Sequence, residues 1–173
     1  MSFLLTVSEQ DGVSVTGRIK SYNPSNPATI VLMQGDAEVC RATIDATSGI
    51  GQAEQDFAFE GVEPGTYTLV VTKPGHTSFT VQNIVVGEED LDLTQDSRES
   101  VRLMTLLCGD INGDGMINNA DLAILWLAAN YNKNVGVAAN PECDLNGDGM
   151  INNADLAILW LAVNYNKGAV VIL

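Results

Sequence analysis

The sequence predicts two modules: an all-β sandwich over residues 1–107, followed by a small all-α module over residues 108–173 with two loop–helix repeats. Three observations lead to this fold class. Residues before about 107 contain short runs rich in Val, Thr and aromatic residues, and several runs alternate apolar and polar side chains. Residues after 108 lose that alternation and gain helical runs. One acidic loop followed by an apolar helix then occurs twice, beginning at Asp110 and again at Asp144.

The strands of the first module are predicted from period-two alternation between turn signals. The predicted strands are VSVTGRIKSY (13–22), ATIVLMQG (28–35), AEVCRATID (37–45), QDFAFEGV (55–62), GTYTLVVTK (65–73), FTVQNIVV (79–86) and SVRLMTLL (100–107). Turn pairs such as Asn23-Pro24, Pro64-Gly65 and Pro74-Gly75 separate them. Six or seven short strands in about a hundred residues indicate a β-sandwich. Within it, Cys40 is expected to be a small buried apolar side chain.

The charge distribution excludes several classes of partner. The formal net charge is −14, with 15 acidic and six basic residues up to position 107 and seven acidic and two basic residues after it. Such a chain repels nucleic acids and anionic membranes. No apolar run is long enough to span a bilayer, so no membrane insertion is expected. The first ten residues, MSFLLTVSEQ, lack the pattern of a signal peptide.

The acidic loops carry the spacing of EF-hand calcium sites. Ca²⁺ prefers six to eight oxygen ligands, and alternate side chains on a tightly curled loop converge on it. Gly115 and Gly149 stand at loop position 6, where the bend is sharpest. The sequence therefore predicts two Ca²⁺ ions. The predicted ligands, at positions 1, 3, 5, 7, 9 and 12, are Asp110, Asn112, Asp114, Met116, Asn118 and Asp121 in the first loop, and Asp144, Asn146, Asp148, Met150, Asn152 and Asp155 in the second.

The chemistry expected at these positions differs from one to the next. The methionines would contribute only their backbone carbonyls, and the position-9 asparagines would act through water. Position 12 is Asp instead of the usual Glu. A single loop of this kind could be an Asx-rich turn, but two complete loops at a fixed spacing favour calcium. A strand, and not a helix, is predicted before the first loop, which disfavours a calmodulin-like sensor.

The two predicted helices are unusually apolar for a module of this size. The run DLAILWLAANY places Leu or Ala on nearly every side of the first helix, and the second repeats it. So small a unit buries only part of its surface. The remaining apolar faces therefore predict a contact with the sandwich or with another protein. The alternative is that all of these side chains belong to an internal core.

The repeats are nearly identical in sequence. From residues 112–133 to residues 146–167, 21 of 22 positions match, and only Ala129 and Val163 differ. Two equal surfaces related by a pseudo-twofold axis could meet one partner in two orientations. A recent duplication would give the same identity without selection for binding.

No arrangement of residues predicts catalysis, so the chain is interpreted as a non-enzyme. His76, the only histidine, is expected in a solvated loop. The acidic residues are scattered, and no nucleophile motif is present. Cys108 and Cys143 each lie just before a calcium loop; they could form a disulfide or remain two free thiols.

The sequences GDINGDGMINNADLAILWLA and CDLNGDGMINNADLAILWLA resemble the dockerin module of cellulosomal proteins, over about residues 108–168. The β-rich part looks like an immunoglobulin-like sandwich of the carboxypeptidase-regulatory or X-module type. Together they resemble an X-module–dockerin dyad. This resemblance implies a secreted, extracellular protein that binds two Ca²⁺ and docks onto a cohesin of a scaffoldin or anchoring protein. The expected absence of a linker between the modules predicts rigid docking.

The resemblance also implies which residues meet the partner, and here the chain departs from the family pattern. Many enzyme-borne dockerins carry Ser-Thr and Lys-Arg where this chain has Asn-Ala twice and Trp-Leu twice, so recognition is expected to be mainly apolar. The implied partner residues are Asn119, Ala120, Ala123, Trp126, Leu127, Asn153, Ala154, Ala157, Trp160 and Leu161. Two alternatives remain: a fragment of an extracellular polysaccharide-degrading enzyme, or a calcium-stabilised adhesion or stalk domain without a cohesin partner.

Overall fold

Two β-sheets face each other across one apolar core in the first part of the chain. The computed structural model describes residues 12–173, so the expectation for MSFLLTVSEQ lies outside the described residues. The elements of this part are β1 (Val13–Tyr22), β2 (Ala28–Gln34), β3 (Ala37–Ile44), β4 (Gln52–Val62), β5 (Gly65–Thr72), β6 (Gly75–His76), β7 (Phe79–Val86), β8 (Leu91–Asp92), a 3₁₀ turn (Leu93–Gln95), α1 (Glu99–Arg102) and β9 (Met104–Thr105).

The first sheet is built around β1. It pairs antiparallel with β4, and the short strands β8 and β9 both run parallel to it. The second sheet contains β3, β2, β5 and β7 in that order, all antiparallel. Apolar side chains alternate along β1 and β5 because one face of each strand is buried. Gly17 lies opposite Phe57, and a Cβ at residue 17 would meet the Phe57 ring at 2.5 Å.

The predicted seventh strand is only partly correct. Residues 99–102 form the single helical turn α1, and only Met104–Thr105 pair with β1. Val101 and Met104 nevertheless point into the core and are fully buried. A run of apolar residues this short fits either a helical turn or a strand, so the pattern alone could not separate them.

The second part of the chain contains more strands than helices. Its elements are β10 (Cys108–Asp110), β11 (Met116–Ile117), α2 (Asn119–Leu125), β12 (Lys133–Asn134), a 3₁₀ turn (Pro141–Cys143), β13 (Met150–Ile151), α3 (Asn153–Leu159), β14 (Lys167–Gly168) and β15 (Val170–Ile172). The helices have seven residues each.

The predicted fold class, a separate sandwich followed by an all-α module, is therefore wrong. The last strand, β15, returns to the sandwich and adds parallel to the edge of β7, extending the second sheet to five strands. Strand β10 pairs with β6 from the sandwich. Helical periodicity predicts α2 and α3 and their apolar faces. It gives no signal for strands of two residues, or for a C-terminal strand that pairs with a strand much earlier in the sequence.

The two repeats are interlocked through their short strands. Strand β11 of the first repeat pairs with β14 of the second, and β12 of the first repeat pairs with β13 of the second. Asn132 N–H donates to the Ile151 carbonyl, and Asn166 N–H donates to the Ile117 carbonyl. Both asparagines have a left-handed φ of 56°. These reciprocal contacts relate the repeats by a pseudo-twofold axis.

Both helices end earlier than their apolar pattern predicts. Helix α2 ends at Leu125, and the Asn130 side-chain amide donates to the Ile124 carbonyl over 2.7 Å. In α3 the Asn164 amide donates to the Ile158 carbonyl over 2.8 Å. These asparagine side chains donate hydrogen bonds to carbonyls in the last turn of each helix. The helix therefore ends there, although the apolar sequence continues.

A second apolar core lies beneath these helices. Its fully buried members include Ile117, Leu125, Ile151 and Leu159. Tyr22 and Leu107 from the sandwich side pack against it, so the two cores meet along a shared boundary. None of the helices between residues 12 and 173 has the length and apolar character to cross a membrane.

Candidate functional site

The first acidic loop is curled by hydrogen bonds from its own backbone to its side chains. Gly115 N–H donates to Asp110 Oδ2 over 3.0 Å, and Gly115 has a φ of +85°, which favours glycine. Asn112 Oδ1 accepts from Asp114 N–H, and Asp114 Oδ1 accepts from Met116 N–H. These bonds turn successive side-chain oxygens toward the inside of the curl.

The second loop repeats this arrangement. Asp144 Oδ2 accepts from Gly149 N–H over 3.0 Å, and its Oδ1 accepts from Gly147 N–H over 2.9 Å. Asn146 Oδ1 accepts from Asp148 N–H, and Asp148 Oδ1 accepts from Met150 N–H. The methionine side chains are exposed, so only their backbone carbonyls could serve a metal ion in the loop.

The position-12 carboxylates bind backbone amides at both ends of their loops. Asp121 Oδ1 accepts from Ile111 N–H and Asn112 N–H, and Oδ2 accepts from Asn118 N–H. Asn118 Oδ1 in turn accepts from Ala120 N–H and caps α2, which completes a capping box. The second repeat has the same bonds around Asp155 and Asn152. Sequence spacing predicted position 9 as a ligand and did not predict its role as a helix cap.

The donor set of each loop fits calcium chemically. All the side-chain donors are carboxylate or amide oxygens, which hard cations prefer. Asp110 Oδ1 is buried and has no hydrogen-bond partner among the described residues. Burial raises the pKa of Asp110, Asp144 and Asp155 above the ordinary value, because it removes water from their charged forms.

The carboxylates are not gathered into a preformed cluster. Within residues 12–173, no three His, Cys, Asp or Glu side chains come together in an arrangement that could hold a metal ion. The reason is visible at Asp121, whose two oxygens already hold three backbone amides. Each carboxylate still has unused lone pairs, since two oxygens offer about four acceptor sites. Loading a cation would therefore draw together oxygens that the backbone bonds now hold apart.

The predicted apolar partner residues lie on the surface. Trp126 is 46% exposed and Trp160 is 51% exposed, with Leu127 and Leu161 also exposed beside them. Ala123 and Ala157 on the helices are exposed, as are Ala120 and Ala154 in the first turns. The Trp126 ring packs against Tyr131 with ring centroids 4.5 Å apart. The structure thus places an exposed apolar patch on the outer side and at the C-terminal end of each of α2 and α3, one from each repeat.

Asn119 and Asn153 have a structural contact that the sequence did not predict. The Tyr165 hydroxyl donates to Asn119 Oδ1, and the Tyr131 hydroxyl donates to Asn153 Oδ1. Each bond joins one repeat to the other. The identity of these tyrosines in both repeats was the only signal in the sequence that could have pointed to this contact.

His76 and the cysteines differ in part from their expected surroundings. His76 is buried, contrary to the solvated loop expected for it, and its Nε2 accepts from Tyr22 N–H over 3.1 Å. Cys40 is only partly buried, and it packs against the sandwich core. Cys108 and Cys143 are buried free thiols. Burial raises the pKa of both thiols, to about 12 for Cys143, so neither is reactive at neutral pH.

Comparison with known proteins supports part of this interpretation. Residues 108–164 match the family model of the dockerin type I domain, which covers the two loops and both helices. No curated protein matches the chain.

Two solved structures resemble nearly the whole chain. Both are crystal structures of interface mutants of a type II cohesin–X-dockerin complex from Acetivibrio cellulolyticus, one with an N-terminal and one with a C-terminal interface mutation. The TM-scores are 0.64 and 0.61, each at 23% identity, covering 91% of this chain and 97% of the matched chain. At that identity the similarity establishes a shared fold.

Proposed function

We propose that this chain is a non-catalytic, calcium-dependent assembly module that docks its parent protein onto a cohesin, with residues 1–107 acting as an X-module and residues 108–173 as a dockerin. The observation that carries the proposal is the pair of exposed Trp-Leu patches at the C-terminal ends of α2 and α3, the helices that directly follow the two EF-hand-like loops. The dockerin type I match over residues 108–164 and the shared fold with X-dockerin chains support it. Scaffoldins and anchoring proteins that carry cohesins act outside the cell, so we place the protein there.

The calcium ligands in this proposal are the twelve loop residues predicted from the spacing, with one ion in each loop. When bound, Ca²⁺ would neutralise the carboxylates of its loop and draw their oxygens together. The chain's own residues do the remaining work. Asp121 and Asp155 tie the loop start to the helix start, so the shape of each loop sets the position of the apolar helix face behind it.

The apolar patches are proposed as the surface that the cohesin covers. Aromatic side chains at the centre of an interface carry a large share of binding energy once water is excluded. Trp126 and Trp160 lie about half exposed at the equivalent position of each repeat. Since the two patches are related by the pseudo-twofold axis, we propose that the cohesin can bind in two orientations, each centred on one repeat.

The first test measures cohesin binding by calorimetry, with saturating calcium and again with excess EDTA. The panel contains cohesins of types I and II, because the family match is to a type I domain and the similar folds come from type II complexes. We expect at least one cohesin to bind in calcium and to lose at least a hundredfold in affinity in EDTA. The Trp126→Ala, Trp160→Ala double variant should lose binding even in calcium.

Two outcomes would refute the proposal. Equal affinity in calcium and in EDTA would refute the proposed calcium dependence. The absence of binding to every cohesin of the panel would refute the proposed partner. Val171→Ser is the control variant, because Val171 is exposed on β15 and lies outside both loops and both patches. Its affinity should match that of the unaltered chain.

A further inference from the structure

The two loops have the same sequence at positions 3 to 12, but the sandwich surrounds them differently. Asn146 in the second loop is buried, whereas its counterpart Asn112 is exposed. The second halves of the loops are held alike: Gly115 O accepts from Ala169 N–H, and Gly149 O accepts from Val135 N–H. The contacts that the sandwich makes with the two loops therefore differ in the first half of each loop.

The contacts that distinguish the second loop come from two turns of the sandwich. The Asn23 side-chain amide donates to the Asp144 carbonyl over 2.7 Å, and Gly51 N–H donates to the Asn146 carbonyl over 2.6 Å. Asn23 N–H also donates to the Gly51 carbonyl, so the two turns form one unit. Asn23 is only 5% exposed and has a left-handed φ of 52°.

Position 4 shows the same asymmetry. A Cβ on Gly147 would lie 2.6 Å from Asn23 Oδ1, whereas a Cβ on Gly113 would meet no atom of residues 12–173 within 4 Å. Asn23 Oδ1 is buried without a hydrogen-bond partner among the described residues. The first loop is held by the sandwich at position 1, where Asp110 pairs with Gly75. Beyond that it borders a cleft of about 480 Å³ lined by Lys73, Asp110, Gly113 and Gly115 among others.

These sandwich contacts do not use the atoms that would bind an ion. In an EF-hand-like loop the ligands at positions 1 and 3 are side-chain oxygens, and only position 7 contributes its backbone carbonyl. Asn23 and Gly51 bind the backbone carbonyls of positions 1 and 3. They therefore restrain the backbone of the second loop in its curl, and a backbone that is ordered before binding raises affinity because less ordering remains to be done.

We infer that Asn23 is a positioning residue for the second loop, and that the two loops bind calcium with unequal affinity, the second more tightly. This inference rests on the proposed calcium binding. The first loop would then be the one that empties first when calcium falls. Sequence identity between the repeats hides this difference, because it arises from a residue that lies 121 positions before the loop it restrains.

The first arm of the test measures each loop separately by calorimetric calcium titration of the full chain. Asp148→Ala removes an exposed ligand of the second loop and reports on the first, and Asp114→Ala does the reverse. We expect the second loop to bind at least tenfold more tightly. Equal affinities would overturn the inference and leave the proposed function intact. No binding of calcium to the unaltered chain would overturn both.

The second arm removes the Asn23 side chain in each of those backgrounds. Asn23→Gly keeps a residue that tolerates φ of 52°, so the loss is that of the side-chain contacts. The affinity of the second loop should fall about tenfold, as expected for one buried hydrogen bond, and that of the first should stay within twofold. Asn83→Gly is the matched control, since Asn83 is an exposed asparagine with φ of 58°. An equal effect of Asn23→Gly on both loops would overturn the inference.

A third arm does not depend on the folding of Asn23→Gly. Gly113→Ala and Gly147→Ala introduce the same methyl group at φ of +73° and +78° in loops of the same sequence. We expect Gly147→Ala to weaken its loop at least tenfold more than Gly113→Ala weakens the other, because only the former meets Asn23. Equal losses would contradict a role for Asn23.

Discussion

At the scale of single residues, the buried side chain of His76 makes the free energy of unfolding depend on pH. Its Nδ1–H donates to the Pro74 carbonyl over 2.9 Å, while Nε2 accepts from Tyr22 N–H. A protonated imidazole has no acceptor, so protonation would break the bond to Tyr22. Burial lowers the pKa of His76 to about 4.

The sign of this effect follows from the two states. The pKa of histidine in the unfolded chain is about 6.5, above that of the folded state, so the unfolded state binds the proton first as pH falls. The contribution of His76 is present above pH 6.5 and is lost between pH 6.5 and 4. We expect about 2 kcal/mol less unfolding free energy from this residue at pH 5 than at pH 7.

Urea unfolding at the two pH values measures this contribution, with His76→Gln as the reference because glutamine does not titrate. Carboxylate titration is common to both proteins and cancels in the comparison. The unaltered chain should lose about 2 kcal/mol more than the variant between pH 7 and pH 5. Equal losses would show that His76 takes up its proton equally in the folded and unfolded chains, so that its pKa is not lowered by folding.

The loops and the histidine show what the sequence reveals about single residues. The ligand residues of a loop are predictable because a metal ion needs oxygens at a fixed spacing. That spacing is contained within one short segment, from Asp110 to Asp121 in the first loop. The roles of Asn23 and His76 are not predictable in this way. Both act on groups far along the chain, at Asp144 and Tyr22, and nothing in their local sequence marks the partner.

At the scale of elements, helices α2 and α3 both have exposed apolar side chains on the outer side, but they differ in how deeply their inner side chains are buried. Trp126 and Leu127 are exposed directly after the end of α2, as are Trp160 and Leu161 directly after the end of α3. On the inner side Ile158 is buried, whereas its counterpart Ile124 is only partly buried. The pseudo-twofold symmetry is therefore broken beneath the helices, while the Trp-Leu pair of each repeat stays exposed, which is the condition for two binding orientations.

Long strands with clear alternation were predicted well at this scale. Strand β1 spans residues 13–22 as predicted, because its inner face is buried along its whole length. The ends of α2 and α3 were not predicted, since Asn130 and Asn164 end the helices by side-chain bonds that apolar periodicity does not report.

The proposed two orientations predict an unusual pattern of mutational effects on cohesin affinity. Leu127→Glu places a charge in one patch and Leu161→Glu places it in the other. If the cohesin can bind centred on either patch, each single variant removes one of the two binding orientations and should lower affinity only about twofold. The double variant removes both orientations and should lower affinity more than a hundredfold. Calorimetric titration with one cohesin measures all three.

A loss above tenfold from one single variant, with little effect of the other, would show that one orientation dominates. Circular dichroism in calcium must first show that each variant is folded. Since both leucines are exposed and lie two residues beyond the ends of their helices, we expect no change in the spectrum.

At the scale of the whole molecule, the C-terminal strand joins the two parts of the chain. Strand β15 pairs with β7 from Val170 opposite Phe79 to Ile172 opposite Val81. Val170 and Ile172 pack against the sandwich core, while Val171 faces solvent. The chain therefore passes from the sandwich into the loops and helices and back to the sandwich, which ties the unfolding of one part to that of the other.

This closure explains why the predicted fold class was wrong although many of its elements were correct. A change of periodicity near residue 107 was interpreted as the start of a separate module. Pairing of β15 with β7 joins residues about 90 positions apart, and a three-residue strand of Val and Ile carries no information about its partner.

The joining strand predicts how the two parts unfold. Both tryptophans, Trp126 and Trp160, lie in the second part, so their fluorescence follows that part, whereas far-UV circular dichroism follows mainly the sandwich strands. In the unaltered chain the two urea transitions should coincide. In the Val170→Ser, Ile172→Ser double variant, which removes apolar contacts with the sandwich core, the free energy of unfolding should fall by about 2–4 kcal/mol and the two transitions should separate.

The control is Val171→Ser, which changes the outward side of the same strand. Its free energy of unfolding should stay within about 0.5 kcal/mol of that of the unaltered chain, with coincident transitions. Coincident transitions in the double variant would mean that β10 and Asn23 couple the two parts without β15, and separated transitions in the unaltered chain would mean that the parts unfold independently.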